Sequence, residues 1–402
     1  MTILSVVIPA YNEEGGIADI AHRVLAVRPG LAQVGIADLE LLVVDDGSHD
    51  RTADIARQIP GVRVLCHVHN RGYGGALKTG FAEARGELIG FLDADGTYPP
   101  EHFPELCKCA LDGCDLVIGS RMAGAESQMP VTRRVGNFFF ATLLSLLSNQ
   151  RVTDSASGMR VFKREILDRV YPLPDGLNLT PVMSTRAVHE GMVVGEVPIP
   201  YSERVGRSKL SVVRDGTVFL QSMVWTVLTY NPVRILGMLG LAGVGVGLLA
   251  LAGLAAARLS GVTSLQPWGV AGLFIGVMAA VIGTSLFSLG VVFNYLVSLF
   301  YQRPIRQGLF GRPIFAQPLD RHFWWMGLVS AVVGLAVGGW ASLASLAGWE
   351  IARLWLYLLG SAMLILVGVQ LVIYWLLVRV LEELSHREAL AQRDRVPGAC
   401  KD

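Results

Sequence analysis

The sequence predicts an α/β domain built on a parallel sheet, followed by an interfacial helix and a transmembrane region of four helices. Three observations predict it. Short runs rich in Val, Ile and Leu alternate with helical patterns as far as Asn231-Pro232. Beyond that point the charges all but vanish, with none in 235–257 or in 259–302. The 402-residue chain is 52% hydrophobic and only 17% charged, against about 25% in a soluble domain, so part of it belongs in lipid.

The strands are expected at "ILSVVIP" (3–9), "ELLVVD" (40–45), "VRVLCHV" (62–68), "ELIGFLD" (87–93) and "CDLVIGS" (114–120). Each has the continuous apolar character of a strand covered on both faces. Helical patterns fill 14–28, 50–59, 73–85 and 101–111. Alternating β and α segments imply a parallel sheet with crossover helices. Such sheets bind ligands outside the carboxyl ends of their strands. "YNEE", "DDGS" and "DADG" all stand at those ends, so they should meet at one cleft.

Four apolar blocks, about 233–257, 268–300, 323–348 and 354–378, each supply the residues of a spanning helix. The link between the second and third blocks carries Arg303, Arg306, Arg312 and Arg321, and the tail carries Arg379, Arg387, Arg393, Arg395 and Lys401. The positive-inside rule puts that link, the tail and the N-terminal domain in the cytoplasm. An even number of spans agrees, leaving both termini on one side. Residues 208–231 mix Arg214, Asp215 and Gln221 with apolar residues, Trp225 and Tyr230, which suits a helix lying at the membrane interface. The expected organisation is a cytoplasmic domain over 1–207, the interfacial segment 208–231, the membrane region 232–380 and a cytoplasmic tail 381–402. The spans either bundle within one chain or pack between copies of it, so a homo-oligomer is open.

A net charge of +1 gives no basic signal for nucleic acid. Five cysteines without framework spacing argue against a secreted disulfide scaffold. Cys107, Cys109 and Cys114 lack a fourth ligand at zinc spacing and are expected as free thiols. The apolar start is too short for a signal peptide.

Three motifs carry candidate chemistry. "NRGYGGALKTG" (70–80) follows a strand and opens a helix. It matches neither the dinucleotide fingerprint nor a Walker loop, and it reads either as a tight turn or as amides open to an anion. "VVDDGS" (43–48) places Asp45 and Asp46 where they either cap a helix or accept from a base or ribose. "DADG" places Asp93 and Asp95 together only if the strand turns after Asp93. Two like charges so placed need a cation, and a hard oxygen set suits Mg²⁺ or Mn²⁺ bridged to a diphosphate.

The order of these motifs, with "VVIPAYNEE" before them and "GSR" (119–121), "TDSASGMRVFKRE" (153–165) and "ERVGRSKLS" (203–211) after them, resembles the family 2 glycosyltransferases of the GT-A fold. Within that family it is similar to the dolichol-phosphate mannosyltransferase and bacterial polyprenyl-phosphate glucosyltransferase group. The resemblance covers about 1–230. It implies a Rossmann-like domain that binds a nucleotide sugar through Pro9, Ala10, Tyr11, Glu13, Asp45, Asp46 and Ala94. It implies Asp93 and Asp95 as metal ligands and Arg204 and Lys209 as phosphate clamps. Arg121, Arg134, Ser157, Arg160 and Lys209 would face the acceptor phosphate. The reacting centre would be Asp95, Arg121, Asp154 and Arg160. Relatives often carry Gln where this chain has Thr97, so Thr97 is expected to be at most a weak third ligand. The implied reaction is inverting transfer of a hexose, from a donor of the GDP-mannose or UDP-glucose type, to a polyprenyl phosphate at the bilayer.

The acceptor decides whether a base is needed. A phosphate monoester is largely dianionic at neutral pH and attacks unaided, whereas a hydroxyl needs a carboxylate. Asp154 is the candidate base for a hydroxyl acceptor. For a phosphate acceptor it would orient Arg160 or its loop. A processive polysaccharide synthase would carry Q-x-x-R-W, but "QSMVW" (221–225) lacks the Arg. A flippase or transporter would carry charges in its spans, where Asn294 and Gln370 are the polar exceptions.

Overall fold

A computed structural model describes residues 2–122, 129–147, 150–202, 212–262, 266–301 and 319–395. The chain forms two compact units, Met1–Val227 and Leu228–Asp402. The first unit begins β1 (Ile3–Ala10), α1 (Ile17–Ala26), α2 (Arg28–Gln33), β2 (Asp38–Asp45), α3 (Thr52–Arg57), β3 (Val62–Cys66), α4 (Tyr73–Glu83) and β4 (Leu88–Phe91). A 3₁₀ turn at Pro100–His102 leads into α5 (Phe103–Leu111), β5 (Leu116–Ser120), α6 (Val131–Leu147) and β6 (Arg160–Lys163). Then come α7 (Leu167–Val170), α8 (Leu179–His189), β7 (Val194–Pro198) and α9 (Val212–Tyr230), which runs on into the second unit.

Among the described residues seven strands form one sheet in the order β3-β2-β1-β4-β6-β5-β7. The five strands expected from sequence are all present. The wholly parallel sheet is not, because β6 lies between β4 and β5 and is antiparallel to both. β6 has only four residues and begins with Arg and ends with Lys, so it lacks the apolar run that marks a buried strand. β7 is half-exposed and ends in Pro198, a pattern equally hard to see.

Burial along β1 alternates between the two faces of the sheet. Leu4, Val6 and Ile8 join a core with α1 and α5. Val7, with Leu42, Val44 and Phe91, joins a second core against α4 and α8. That is the period of two of a strand covered on both sides. The register sets Ala10 opposite Asp45 and Asp45 opposite Cys66, so the ends of β1, β2 and β3 lie level.

The Gly-rich segment is a packing device. Gly72 has φ +88°, and a Cβ there would stand 2.6 Å from the Asp175 carbonyl oxygen. The amides of Gly74 and Gly75 donate to that carbonyl at 2.7 and 3.1 Å, so they are not held open for an anion. Lys78 adds a bond from Nζ to the Leu173 carbonyl at 2.8 Å. The glycines therefore let the 173–175 segment close against the start of α4.

α9 packs its inner face on the first unit. Met223 is fully buried in the second core, and Ser222 accepts from Asn178 Nδ2 at 2.7 Å. Its outer face carries Trp225, 61% exposed.

Among the described residues the second unit holds four α-helices, α10 (Pro232–Leu259), α11 (Pro267–Tyr301), α12 (Phe323–Leu346) and α13 (Ile351–Arg395), with a 3₁₀ turn at Leu319–His322 before α12. Each contains a stretch long and apolar enough to cross a membrane. α10 and α11 approach at Gly240, Gly247 and Gly283, where a Cβ would lie 2.6 to 2.7 Å from backbone atoms or a methyl group of the other helix. Small residues at such contacts let helix backbones close up in lipid. Arg379 of α13 meets Asp320, just before α12, at 3.2 Å, and Tyr295 of α11 donates to the same oxygen at 3.2 Å. Both charges lie at the ends of the apolar blocks expected from sequence, in the link before 323 and the tail after 378.

Replacing Gly74 by Ala would drive a methyl group into the Pro174 carbonyl oxygen. It should lower stability by about 1–3 kcal/mol, read as a lower thermal midpoint of the first unit.

Candidate active site

A cavity of about 500 Å³ opens beyond the carboxyl ends of β1 and β4. Pro9, Ala10, Tyr11, Glu13, Asp46, Asp93, Ala94, Asp95 and Arg121 all line it. The sequence motifs therefore do converge. The other expected residues stand elsewhere. Asp45 lies beneath the cavity, 5% exposed. Its Oδ2 takes the Ser48 amide at 3.4 Å, while its Oδ1 is buried without a partner. Arg134 is exposed on α6 and is not among the lining residues. Arg204 and Lys209 fall outside the described residues.

The two acids of "DADG" are brought together because β4 ends at Phe91, and the chain turns at Ala94-Asp95 with Gly96 at φ +74°. Each carboxylate is braced by a hydroxyl. Tyr73, the first residue of α4, donates to Asp93 Oδ1 at 2.8 Å. Burial, and then the Asp93 charge, push the Tyr73 phenol well above its ordinary pKa, so it remains a donor. Thr97 donates to Asp95 Oδ1 through its hydroxyl at 2.6 Å and its amide at 3.1 Å. Thr97 thus orients the Asp95 carboxylate. Gly158 leaves room for Asp93, since a Cβ there would lie 2.6 Å from Asp93 Oδ2.

Asp46 is engaged by its own fold. It accepts from the amides of Arg71 at 2.8 Å and Gly72 at 2.9 Å, and it meets His67 Nδ1 at 2.7 Å. It holds the Gly-rich turn to the end of β2.

Arg121 and Asp154 form the strongest electrostatic feature. Asp154 Oδ2 accepts Arg121 Nε at 2.7 Å and its amide at 3.0 Å, while Oδ1 accepts Nη2 at 2.8 Å. Asp154 is wholly buried. Burial opposes its ionisation, but the Arg121 charge and hydrogen bonds win and hold its pKa below the ordinary carboxylate range. Burial likewise opposes the Arg121 charge, and Asp154 overrides it. The rings of Tyr98 and Tyr201 stand over the guanidinium, their centroids 5.8 and 5.6 Å from Cζ. Nη1 makes no hydrogen bond among the described residues, and the side chain reaches the cavity.

Arg160 has a different place from the one expected. It is fully buried, donating to the carbonyls of Ser157 at 3.2 Å and Ser155 at 2.8 Å. Burial lowers its pKa to about 10. It supports the 155–157 turn from below and does not line the cavity. Ser157 is also buried, donating to the Gly119 carbonyl at 2.6 Å. Asp154 therefore orients Arg121, not Arg160.

Sequence reasoning missed Tyr73, Tyr98, Tyr201 and Asn137, all of which line the cavity. Their only sequence signal was proximity to motifs: Tyr73 lies within the Gly-rich segment and Tyr98 follows "DADGT". Asn137 had no such signal.

Two carboxylates do not make a closed metal cage, and among the described residues no three His, Cys, Asp or Glu side chains cluster as a metal site. The donor set nonetheless fits a hard cation that takes one or two carboxylates and completes its shell with substrate phosphates.

Comparison with known proteins fixes the class. A model described as glycosyl transferase family 2 matches residues 5–171. A second, described as a domain of unknown function, matches residues 232–392. A dolichyl-phosphate hexose transferase of Haloferax volcanii is 34% identical over 221 residues, which are 55% of this chain and 92% of the relative. An undecaprenyl-phosphate 4-deoxy-4-formamido-L-arabinose transferase of Photorhabdus laumondii is 29% identical over 304 residues, 73% of this chain and 88% of the relative. Among solved structures, glucosyl-3-phosphoglycerate synthase from Mycobacterium tuberculosis matches with a TM-score of 0.44 at 23% identity, over 57% of this chain and 80% of that one. The protein is a glycosyltransferase whose first unit is a mixed α/β sheet domain. It belongs to glycosyl transferase family 2.

Asp154→Asn should strand the Arg121 charge and lower stability at neutral pH by about 3–5 kcal/mol. Because its folded pKa is depressed, the stabilisation from ionised Asp154 is present above its unfolded value, about 4. It is lost as pH falls through the lower folded value. Thermal midpoints measured from pH 3 to 7 should therefore fall less steeply with acid in the variant.

Proposed function

We propose that the protein transfers a hexose, with inversion, from a nucleoside diphosphate sugar to a polyprenyl phosphate at the cytoplasmic membrane face. One observation carries the choice of acceptor. Asp154, the carboxylate that a hydroxyl acceptor would need as its base, is buried, ionised and engaged by three donors of Arg121. An acceptor that brings its own negative charge needs no such base. Arg121, with Nη1 uncommitted, is a suitable partner for a phosphate.

In this reading Asp93 and Asp95 hold a Mg²⁺ or Mn²⁺ ion. When bound, that ion neutralises charge on the leaving diphosphate. Tyr73 and Thr97 keep the two carboxylates in place. Tyr11 and Asp46 line the wall where the nucleoside would sit, while Asp45, expected there by resemblance, is buried outside the lining. An oxygen of the acceptor phosphate attacks the anomeric carbon as the bond from that carbon to the diphosphate oxygen breaks. The nucleoside diphosphate leaves with the electron pair, and a β-linked lipid phosphosugar follows from an α-linked donor. The two relatives named for transfer to polyprenyl phosphates support this acceptor. So do the four apolar helices, and the arginines of the 303–321 link support the cytoplasmic side.

The full-length protein should move labelled hexose from a nucleoside diphosphate sugar into polyprenyl phosphate only when Mg²⁺ or Mn²⁺ is present. Failure to label lipid from any donor in a panel would sink the proposal. Asp95→Asn should reduce transfer by roughly 100-fold or more with little change in thermal midpoint. Arg121→Lys should raise KM for the lipid phosphate, because a lysine cannot both fork onto Asp154 and reach the cavity.

A further inference from the structure

Asn137 is the buried polar side chain that the site so far leaves unexplained. It sits on α6, 5% exposed, and lines the cavity. Its Oδ1 and Nδ2 are both buried, and neither has a hydrogen-bond partner among the described residues. Buried side-chain amides in folded proteins are nearly always paired. One stranded on both arms beside a cavity is explained if a ligand completes it. Exchanging the amide O and N leaves this unchanged, since neither arm is engaged.

The chemistry of the amide selects the ligand. Asn offers two donors on nitrogen and an acceptor on oxygen. A phosphate dianion supplies acceptors alone and would leave Oδ1 facing negative oxygens. An isoprenoid chain supplies neither kind of group. A sugar hydroxyl both donates and accepts, so one hydroxyl, or two neighbouring ones, satisfies both arms. The walls nearby favour discrimination: Phe140 and Phe219, 6.0 Å apart, line the same cavity. Apolar surroundings strengthen a hydrogen bond that is made and penalise one that is missing.

We infer that Asn137 binds a hydroxyl of the transferred hexose and selects donors that carry it. This rests on the proposed sugar transfer and extends it, by naming a residue that reads the sugar.

The test uses the full-length protein in lipid nanodiscs, polyprenyl phosphate, and the nucleoside diphosphate hexose it uses best. That donor is compared with a series lacking one ring hydroxyl each. With wild type, one deoxy donor should lose roughly 10-fold or more in kcat/KM. Asn137→Ala should lose a comparable factor with the complete donor and nothing further with that deoxy donor. Asn137→Leu should behave like the alanine variant. Its thermal midpoint should be unchanged or higher, since no protein partner of the amide is lost, whereas a purely structural amide would lower it. The assignment is overturned if Asn137→Ala keeps the wild-type rate or is impaired equally with every deoxy donor. It is also overturned if the effect lies only in KM for the lipid phosphate or follows the nucleotide base. If wild type uses no hexose donor at all, the proposed function fails. Wild-type transfer with an unaffected Asn137→Ala sinks the hydroxyl assignment alone.

Discussion

The Arg121–Asp154 pair is the interaction around which the cavity wall is arranged. A carboxylate removed from water is tolerable only when its charge is met and its lone pairs are filled. Asp154 achieves this by taking the amide, Nε and Nη2 of a single residue. That residue follows the last residue of β5, so the ion pair fixes the direction in which the chain leaves the sheet. Glu196 of β7 extends the constraint, taking the amides of Thr153 at 2.7 Å and Asp154 at 3.2 Å. Arg160 and Ser157 fasten the next turn from below. Asp154 and Glu196 thereby tie the 153–154 segment to β5 and β7, and the Arg121 side chain still reaches the cavity.

The acidic side of the site follows a similar principle. Asp46, Asp93 and Asp95 line one cavity and repel one another unless compensated. Each has donors assigned to it: backbone amides and His67 for Asp46, a phenol for Asp93, a hydroxyl and an amide for Asp95. These bonds fix the geometry of the carboxylates. In the proposed reaction Asp93 and Asp95 would hold the divalent cation, with these bonds keeping their carboxylates in place. Tyr73 links this to the Gly-rich turn, since the packing of Gly72 and Gly74 on the 174–175 backbone sets where α4, and hence the phenol, begins.

Much of this was legible in the sequence where a residue's role depends on its neighbours in the chain. The strands that end in acids, the turn that places Asp93 beside Asp95, and the four apolar helices are local patterns of hydrophobicity and turn chemistry. The antiparallel β6 was not legible, because four residues bounded by Arg and Lys carry no strand period. Nor could sequence separate the arginines. Arg121 and Arg160 look alike on paper, yet one reaches the cavity and the other is sealed beneath a turn. Asn137 was invisible for the same reason: an unpaired amide is defined by what is missing around it in space.

The sequence by itself therefore determined the α/β domain, the four apolar helices, the family resemblance and the acids at the strand ends. These follow from hydrophobic period and motif order, which are properties of the chain read in a line. Only the tertiary structure decided that Asp154 serves Arg121, that Thr97 and Tyr73 brace the carboxylates, and that the glycines admit a neighbouring segment instead of an anion. Each of those outcomes is a competition for hydrogen bonds between residues far apart in sequence, and burial decides which partner wins.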